Sequence, residues 1–378
     1  MKILIICPDW FPNISGFGTS CYEFAKSAEK DHKITIITPF QKGFDSKGLN
    51  VVTVTQVANA LGRNPIVLGL LNRIKRMDYD IILLYSYMFE MNSRVAIYRK
   101  LGIIIKPVVL MYRGSLEDDV LMHLNKTTRW AKKTYDQTLG SAVFRYSDYI
   151  ISNSKPTLSV INSKYGIPYS KMDYLPNSVH VSDYRVSGLK NKRVLFVGRL
   201  VENKGIKFFE NITKAIPADW KFTVVGDGPM ESEILRLAKK YHNVEYLGKL
   251  PKSETDKIIS KSDVLILPTF AEGSPRVVLE AAASGVPSVV FDVGDVSTIL
   301  DNDKNGFMIK KYDIEDFVEK MSLLIKDYGL RKTKGNSARK YAEKNLDWKI
   351  VYKKMMNLLT EIAKAHENSF HERRRIRL

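Results

Sequence analysis

Two short apolar runs with a helix-forming segment between them occupy residues 263–291. The runs, 263–269 and 286–291, have the length and composition of buried strands in a parallel sheet. Between them a polar loop leads to Pro275, a favourable first residue of a helix, and Gly285 is placed to end that helix. This βαβ unit directs the helix N-terminus towards the carboxyl edge of the sheet, where its unpaired amide groups and positive dipole suit a phosphate.

The same unit carries two carboxylates, Glu272 in the loop and Glu280 eight residues later in the helix. With a rise of about 1.5 Å per residue, Glu280 is expected roughly one to two turns above the helix start. One acceptor suits hydroxyl groups close to a bound phosphate, and the other suits hydroxyl groups further along the ligand. A solvated loop glutamate and a helix-surface glutamate are the alternative for an isolated pair, but the surrounding strand, proline and small-residue helix favour a binding site.

The chain has 378 residues, of which 44% are hydrophobic and 26% charged, so it can form two domains with their own cores. Two cysteines, Cys7 and Cys21, indicate no disulfide framework and favour a reducing compartment. We see no signal peptide and no apolar run of about 18 residues, and therefore expect a cytoplasmic protein. With 59 Lys and Arg against 41 Asp and Glu, the charge of +18 favours an anionic partner, either nucleic acid, anionic lipid or phosphate-bearing substrates.

The first half of the chain alternates between strand-like and helix-like segments. The strands are predicted at 2–7, 33–38, 51–56, 80–86, 107–112 and 148–154, and the helices at about 20–30, 66–76, 94–100 and 120–135. The loop after the first strand contains Gly16 and Gly18, which suit a phosphate-side loop but equally permit an ordinary turn. The pattern predicts an α/β domain over 1–185.

Several basic residues of this half are candidates for anion contact. Arg113 follows a strand at the expected active-site edge, where it could contact phosphate or an anionic acceptor, or be an ordinary surface arginine. The predicted helix at 120–135 contains several cations and no acidic residue, and the C-terminus is rich in arginine. Together these two segments indicate contact with an anionic membrane. A solvated helix and a frayed tail remain the alternative. The cations concerned are Lys126, Arg129, Lys132 and Lys133 of the helix and Arg373, Arg374, Arg375 and Arg377 of the C-terminus.

A polar segment, 182–192, predicts a linker to a second α/β domain over 190–344. The first strand of that domain ends at Gly198, and Arg199 and Lys204 follow in the loop. Two cations at this spacing can clamp a diphosphate without a metal ion, although ordinary surface charge is the alternative. The next strand runs into a turn with two glycines, Gly226 and Gly228, which would admit a nucleotide closely.

These segments resemble the retaining glycosyltransferases of family 4 (glycosyl transferases group 1), which have the GT-B fold. The resemblance rests on the E-x7-E pair of Glu272 and Glu280, on the G-R-x-x-x-x-K-G pattern from Gly198 to Gly205, and on weaker matches along nearly the whole chain. It implies an α/β protein of two Rossmann-like domains facing across a cleft, with a final helix at about 347–365 packing on the first domain. The sequence departs from the family where Ser178 replaces a glycine and Arg113 replaces a common histidine.

The resemblance also implies a role for each matching residue. Arg199 and Lys204 would hold the donor diphosphate and act in catalysis with Glu272, which contacts the donor sugar. Glu280 would accept hydrogen bonds from the ribose hydroxyls. The remaining predicted donor contacts are Gly16, Gly198, Gly226, Gly228, Leu250, Gly273, Ser274, Val277 and Val278.

The predicted reaction is retaining transfer of a sugar from a nucleoside-diphosphate sugar, with UDP favoured over GDP, to a glycan or lipid-linked acceptor. The triplets 78–80 and 301–303 each hold two aspartates, but both are typical of turns, so we predict neither metal nor cofactor. A nucleotide-sugar epimerase or a phosphorylase-like relative is a close alternative. A basic nucleic-acid-binding protein is the alternative of another class, and it leaves the spacing of Glu272, Glu280, Arg199 and Lys204 unexplained.

Overall fold

The computed structural model describes residues 1–12, 14–60, 64–113, 126–301 and 303–375, and it describes the backbone alone at residues 60, 126, 128, 129, 132 and 369–375. The chain forms two compact units. The first comprises Met1–Leu175 together with the segment from Tyr352 onward, and the second comprises Pro176–Val351. Each unit has its own buried apolar cluster around a sheet, which is entirely parallel in the second unit and parallel except for one strand pair in the first.

The first unit is an eight-stranded sheet in the order β4-β3-β2-β1-β5-β6-β7-β8, with helices in the connections. Its strands are β1 (Lys2–Ile6), β2 (Lys33–Pro39), β3 (Val51–Ala60), β4 (Asn64–Leu68), β5 (Ile81–Tyr85), β6 (Val108–Tyr112), β7 (Tyr149–Ser152) and β8 (Met172–Tyr174). Its helices are α1 (Gly16–Ala28), α2 (Leu70–Lys75), α3 (Glu90–Lys100), α4 (Lys126–Tyr135), α5 (Ser141–Tyr146) and α6 (Lys155–Tyr165).

One predicted helix of this unit was partly wrong. The expectation of a helix over 66–76 overlooked β4, which pairs antiparallel with β3, whereas the other strand pairs of the sheet are parallel. Gly69, with φ of +76°, separates β4 from the short helix α2. A residue with left-handed backbone conformation cannot be part of a continuous strand or helix. The apolar segment around Gly69 is therefore divided into the strand β4 and the helix α2.

The second unit is a six-stranded sheet in the order β11-β10-β9-β12-β13-β14, and its strand pairs are all parallel. The strands are β9 (Arg193–Val197), β10 (Lys221–Val225), β11 (Val244–Tyr246), β12 (Val264–Leu267), β13 (Ser288–Phe291) and β14 (Gly306–Ile309). The helices are α7 (Phe209–Ala215), α8 (Glu231–Lys240), α9 (Lys252–Ser260), α10 (Arg276–Ala283), α11 (Ile314–Lys326) and α12 (Tyr328–Tyr341). The strands after β9 extend the sheet on one side and the strands after β12 extend it on the other. The carboxyl edge between β9 and β12 is therefore the point where the strand order reverses, which is where ligands bind in sheets of this kind.

The βαβ unit predicted at 263–291 is present as β12, α10 and β13. Pro275 is the residue before the helix rather than its first residue, with φ of −71° and ψ of 107°. Gly285, with φ of +66°, ends the helix as predicted.

The predicted linker at 182–192 was wrong, because these residues belong to the second unit. Leu189 is buried in the core of that unit, and the buried Ser187 hydroxyl donates a hydrogen bond to the Ser262 carbonyl at 2.8 Å. The structure changes units between Leu175 and Pro176, earlier than the boundary predicted at 185. Polar composition alone did not distinguish a packed segment from a linker.

The final helix, α13 (Trp348–Arg375), begins after Asp347, whose carboxylate accepts from the amide of Lys349 at 2.9 Å. Beyond Tyr352 it belongs to the first unit. There Leu359 is fully buried, and the rings of Phe24 and Tyr352 lie 6.3 Å apart. Among the described residues, no helix combines the length and apolar character that crossing a membrane requires.

Candidate functional site

The loops that follow β9 and β12 are bound to each other at the carboxyl edge of the second sheet. The Phe270 amide donates to the Asn203 carbonyl at 2.8 Å. Gly205, with φ of +73°, lies against the Pro268 carbonyl so closely that a β-carbon on it would be 2.0 Å from that oxygen. Any other residue at position 205 would therefore push the two loops apart, and this packing fixes the position of Lys204.

Lys204 forms an ion pair with Glu272 across these loops. The side chains are 18% and 17% exposed, so the pair is largely shielded from solvent. The sequence predicted both residues for the site but gave them different partners, diphosphate for the lysine and sugar for the glutamate. The structure brings them together, and each neutralises the other's charge.

Arg199, the second predicted diphosphate cation, has a different environment. It lies in the same loop after β9, and its side chain is exposed. Within the part of the chain that the structure describes, the Arg199 guanidinium forms no ion pair with an acidic residue. The loop after β9 therefore carries two different cations: Lys204 has a carboxylate partner, whereas Arg199 is open to an anionic ligand.

The loop after β13 holds the backbone that carries Glu272. Gly294 has φ of +56°, and a β-carbon on it would lie 1.9 Å from the Glu272 carbonyl oxygen. The neighbouring Asp295 amide donates to the Gly273 carbonyl at 2.7 Å. Sequence reasoning missed both residues, although a glycine just after a strand at the functional edge is a usable signal.

The start of α10 carries the predicted donor contacts that follow Gly273. Asn177 donates its side-chain amide to the Ser274 carbonyl at 3.1 Å, while the buried Ser274 hydroxyl has no hydrogen-bond partner among the described residues. Val277 is half-buried. Val278 is fully buried in the core, and its amide donates to the Pro275 carbonyl at 3.1 Å. The Ser274 hydroxyl is thus a buried group without a partner among the described residues, whereas the side chain of Val278 packs in the core.

Glu280 lies on the first turns of α10 and is only 6% exposed. Its carboxylate pairs with Lys252, the first residue of α9, at 2.9 Å. Burial raises the pKa of Glu280, and the nearby charges of Lys252 and Arg276 act in the opposite direction. Lys252 was not among the predicted site residues, because it lies outside both sequence motifs.

The two glycines after β10 have a packing role. Gly226 and Gly228 have φ of +141° and +153°, and β-carbons on them would lie 1.8 Å from the Gly198 carbonyl oxygen and 2.5 Å from the Leu200 carbonyl oxygen. They therefore allow the loop after β10 to pack against the loop after β9. Leu250, the predicted base contact, is half-buried and packs on the core. Contact of these residues with a nucleotide stays a prediction.

In the first unit, Gly16 begins α1 and is exposed, and a β-carbon on it would meet no atom within 4 Å. Gly18 is more constrained, since its β-carbon would lie 2.7 Å from the Asp9 carbonyl oxygen. The Asp9 carboxylate also accepts from the Ser15 amide at 2.7 Å. The loop geometry thus requires Gly18, while the open space at Gly16 is compatible with the predicted phosphate contact.

Arg113 follows β6 at the carboxyl edge of the first sheet, as predicted, and is half-buried. Its guanidinium donates to the Leu175 carbonyl at 3.2 Å. This hydrogen bond holds the chain at Leu175, where the first unit ends, so Arg113 has a structural contact. Contact of Arg113 with an acceptor stays a prediction.

Most of the predicted membrane contact lies outside the described residues. The side chains of Lys126, Arg129 and Lys132 and those of the C-terminal arginines are not described, and Arg377 lies beyond the described backbone. Within α4, Lys133 is exposed, and Trp130 is 71% exposed. A large aromatic side chain at that exposure is compatible with shallow insertion into lipid.

The aspartate triplets are paired within the protein. Asp78 pairs with the Lys2 side chain, and the Asp80 carboxylate accepts from the Lys2 amide at 2.7 Å, so both lie at the amino edge of the first sheet. Asp301 pairs with Lys304 at 2.8 Å. Residue 302 lies outside the described ranges. No group of three or more His, Cys, Asp or Glu side chains within the described ranges is arranged to hold a metal ion.

Comparisons with known proteins cover nearly the whole chain. Residues 14–183 match the sequence family described as Glycosyltransferase Family 4, and residues 184–341 match Glycosyl transferases group 1. An uncharacterized glycosyltransferase of Methanocaldococcus jannaschii is 25% identical over 400 residues, covering 95% of this chain and 98% of that protein. The capsular polysaccharide biosynthesis glycosyltransferase CapM of Staphylococcus aureus is 27% identical over 224 residues, or 58% of each chain.

The fold is likewise that of solved glycosyltransferase-like structures. The crystal structure of Anabaena HepE in complex with UDP superposes with a TM-score of 0.77 at 17% identity, over 96% of this chain and 100% of that one. HepE in complex with UDP-glucose superposes over the same shares with a TM-score of 0.73 at 17% identity. Two parallel-sheet units, the two adjacent family matches and these relatives together show that the chain belongs to the GT-B-fold glycosyltransferases of family 4, the glycosyl transferases group 1.

Proposed function

We propose that the protein transfers a sugar from a nucleoside-diphosphate sugar to a hydroxyl acceptor, with retention of configuration at the anomeric carbon. The observation that carries this proposal is the Lys204–Glu272 ion pair beside the exposed Arg199, at the carboxyl edge between β9 and β12. A shielded cation next to an accessible one suits a diphosphate, whose negative charge increases as the sugar leaves.

The contacts suggest how the donor would be held. A diphosphate reaching Lys204 would replace part of its interaction with Glu272, and the Glu272 carboxylate could then accept hydrogen bonds from sugar hydroxyls. Stabilisation of the leaving diphosphate by Arg199 and Lys204 would lower the barrier while positive charge develops on the sugar ring.

The donor is proposed to carry uridine. HepE, which shares the fold, has been crystallised with UDP and with UDP-glucose. A thermal-shift panel of UDP, GDP and ADP tests this, because a ligand that binds only the folded protein raises its stability by mass action. We expect the largest shift with UDP, and a larger shift with GDP would contradict the choice of base.

Retention is tested on the product. With the preferred UDP-sugar and an accepting glycan, we expect NMR to show a glycosidic bond of the same anomeric configuration as the donor. An inverted bond would contradict the mechanism. Conversion of the donor to an epimer without acceptor, or glycan cleavage by inorganic phosphate, would favour the epimerase or the phosphorylase instead.

The acceptor is proposed to be a glycan or a lipid-linked glycan in the synthesis of a surface polysaccharide or glycoconjugate. The support is the relationship to CapM, whose name assigns it to capsular polysaccharide biosynthesis. A set of lipid-linked and free oligosaccharide acceptors in a radiolabelled transfer assay distinguishes these two forms. Transfer to neither form, with hydrolysis of the donor alone, would contradict this assignment.

Transfer is proposed to need no metal ion, because Arg199 and Lys204 supply the positive charge at the diphosphate. We expect turnover to be unchanged after dialysis against EDTA. Loss of turnover on chelation, with recovery on addition of Mg²⁺ or Mn²⁺, would contradict the metal-free clamp.

The protein is further proposed to bind anionic membrane peripherally, on the cytoplasmic face, through α4 and the C-terminal arginines. Co-sedimentation with phosphatidylglycerol vesicles should exceed that with phosphatidylcholine vesicles and should fall as salt rises, because screening shortens the range of charge attraction. Changing the four α4 cations to Gln should reduce binding, whereas removing four exposed lysines of the second unit should not. The control positions are Lys214, Lys221, Lys249 and Lys257. Equal recovery with both vesicle types would contradict the proposal.

A further inference from the structure

The ammonium group of Lys252 connects three groups around the buried end of α10. It lies 2.9 Å from the Glu280 carboxylate and 2.8 Å from the Tyr184 hydroxyl, and it also pairs with Asp256. We propose that Lys252 is a positioning residue for the donor ribose, because it keeps the Glu280 carboxylate ionised and fixed in orientation for the ribose hydroxyls. This inference rests on the proposed donor role of Glu280.

The contacts of Lys252 leave its ammonium group little freedom. An ammonium has three donors, and three oxygen-bearing side chains meet this one. The same nitrogen lies 5.2 Å from the centre of the Tyr184 ring, a distance set by its contact with the hydroxyl at the edge of that ring. Although the Lys252 side chain is 54% exposed, its charged end is therefore held against Glu280.

The glutamate depends on this cation because it is buried. Burial raises the pKa of Glu280, Lys252 and Arg276 act against that rise, and Asp256 adds to it. Burial lowers the pKa of Lys252, but Glu280, Asp256 and Tyr184 more than reverse this, so its pKa ends above the ordinary value and it stays charged. The pair thus provides an ionised acceptor in a site that would otherwise favour the neutral acid.

Removal of the lysine charge should expose this dependence. Without Lys252 the pKa of Glu280 rises further, so more of the carboxyl is protonated near neutral pH. A neutral carboxyl accepts weaker hydrogen bonds than a carboxylate, and one of its oxygens carries the proton. Nucleotide affinity should then increase with pH, because deprotonation of Glu280 restores the charged acceptor.

The test is calorimetric titration of K252M and wild type with UDP, and with GDP and ADP in parallel, from about pH 6.5 to pH 9. Dividing the affinity of the variant by that of wild type at each pH removes the titration of the nucleotide phosphate itself. We expect K252M to bind about tenfold or more weakly at pH 6.5 and to approach wild type at pH 9, because each unit of pKa above the buffer pH lowers the ionised fraction about tenfold. K252R, which keeps the cation, should stay within about threefold of wild type across the range.

The matched control is K257M, which removes an exposed lysine from the same helix, α9, where it pairs with Glu254. It should bind as wild type does. Circular dichroism confirms that K252M is folded, and K252Q provides the same comparison if it is not. An affinity ratio for K252M that does not change with pH, or tighter binding by K252M, would overturn the inference.

E280Q separates this inference from the proposed function. We expect E280Q to bind the nucleotide about 5-fold to 150-fold more weakly at every pH, as is typical of losing a charge-assisted hydrogen bond. If E280Q binds the nucleotide weakly but the affinity ratio for K252M does not change with pH, only the role of Lys252 is overturned. Wild-type affinity in a folded E280Q overturns the donor role of Glu280, and the role of Lys252 with it.

Discussion

Replacement of Lys204 by alanine is expected to lower turnover by about 100-fold to 1,000-fold, the range for losing one preorganised group that stabilises transition-state charge. Lys204 is held in place because its neighbours Asn203 and Gly205 contact the loop after β12, and alanine at position 204 would remove the cation from that fixed place. Steady-state kinetics with the preferred donor measure the loss. If the effect lies in the transition state, kcat should fall and the donor KM should change less.

The same substitution also leaves Glu272 without its partner. Because that side chain is only 17% exposed, we expect the free energy of unfolding to fall by about 1–3 kcal/mol. The double variant K204A/E272Q should recover part of this stability but none of the turnover. Lys214→Ala, a change to a lysine whose side chain is 63% exposed, serves as the control and should leave both quantities unchanged. Turnover per folded molecule that stays within about twofold of wild type in K204A would show that Lys204 is structural.

Replacement of Gly294 by alanine is expected to destabilise the protein strongly although it adds a single carbon. The added carbon would lie 1.9 Å from the Glu272 carbonyl oxygen and 2.8 Å from that of Gly273, both backbone atoms, at a φ of +56° that favours glycine. Since neither strain can be relieved by a side-chain rotation, we expect the free energy of unfolding to fall by about 3–5 kcal/mol. Urea denaturation followed by circular dichroism measures this loss.

Gly188→Ala is the matched control, since a β-carbon at that position of the same unit meets no atom within 4 Å and needs no left-handed backbone. Its stability should stay within about 0.5 kcal/mol of wild type. A similarly small change in G294A would mean that the loop after β13 moves easily and does not fix Glu272.

The sequence predicted those elements whose signals are local. The β12–α10–β13 unit could be predicted because its strands are continuous apolar runs and a proline and a glycine mark the ends of its helix. The antiparallel strand β4 could not, because its strand conformation is stabilised by pairing with β3 and its own sequence, Asn64–Leu68, does not alternate clearly between apolar and polar residues. The segment 182–192 was misassigned for a similar reason, since the burial of Leu189 depends on the rest of the second unit.

The candidate site shows the same limit. Arg199, Lys204, Glu272 and Glu280 follow a motif and could be selected from the sequence. Pairing of the charges could not be predicted, because Lys204 meets Glu272 and Lys252 meets Glu280 only after distant strands have come together. Gly294 was missed because its role is to leave space for backbone that is remote in sequence.

The division of the chain into units has a consequence for its synthesis. The second unit is one continuous segment, Pro176–Val351, whereas the first is completed by the segment that begins at Tyr352. During translation the second unit can therefore finish folding before the first, whose apolar surface around Phe24 is covered only after the segment from Tyr352 has left the ribosome. Chaperone binding to nascent chains should consequently concentrate on the first unit, even though the ribosome makes it first, and a stop codon shortly before Tyr352 should leave the second unit able to fold alone.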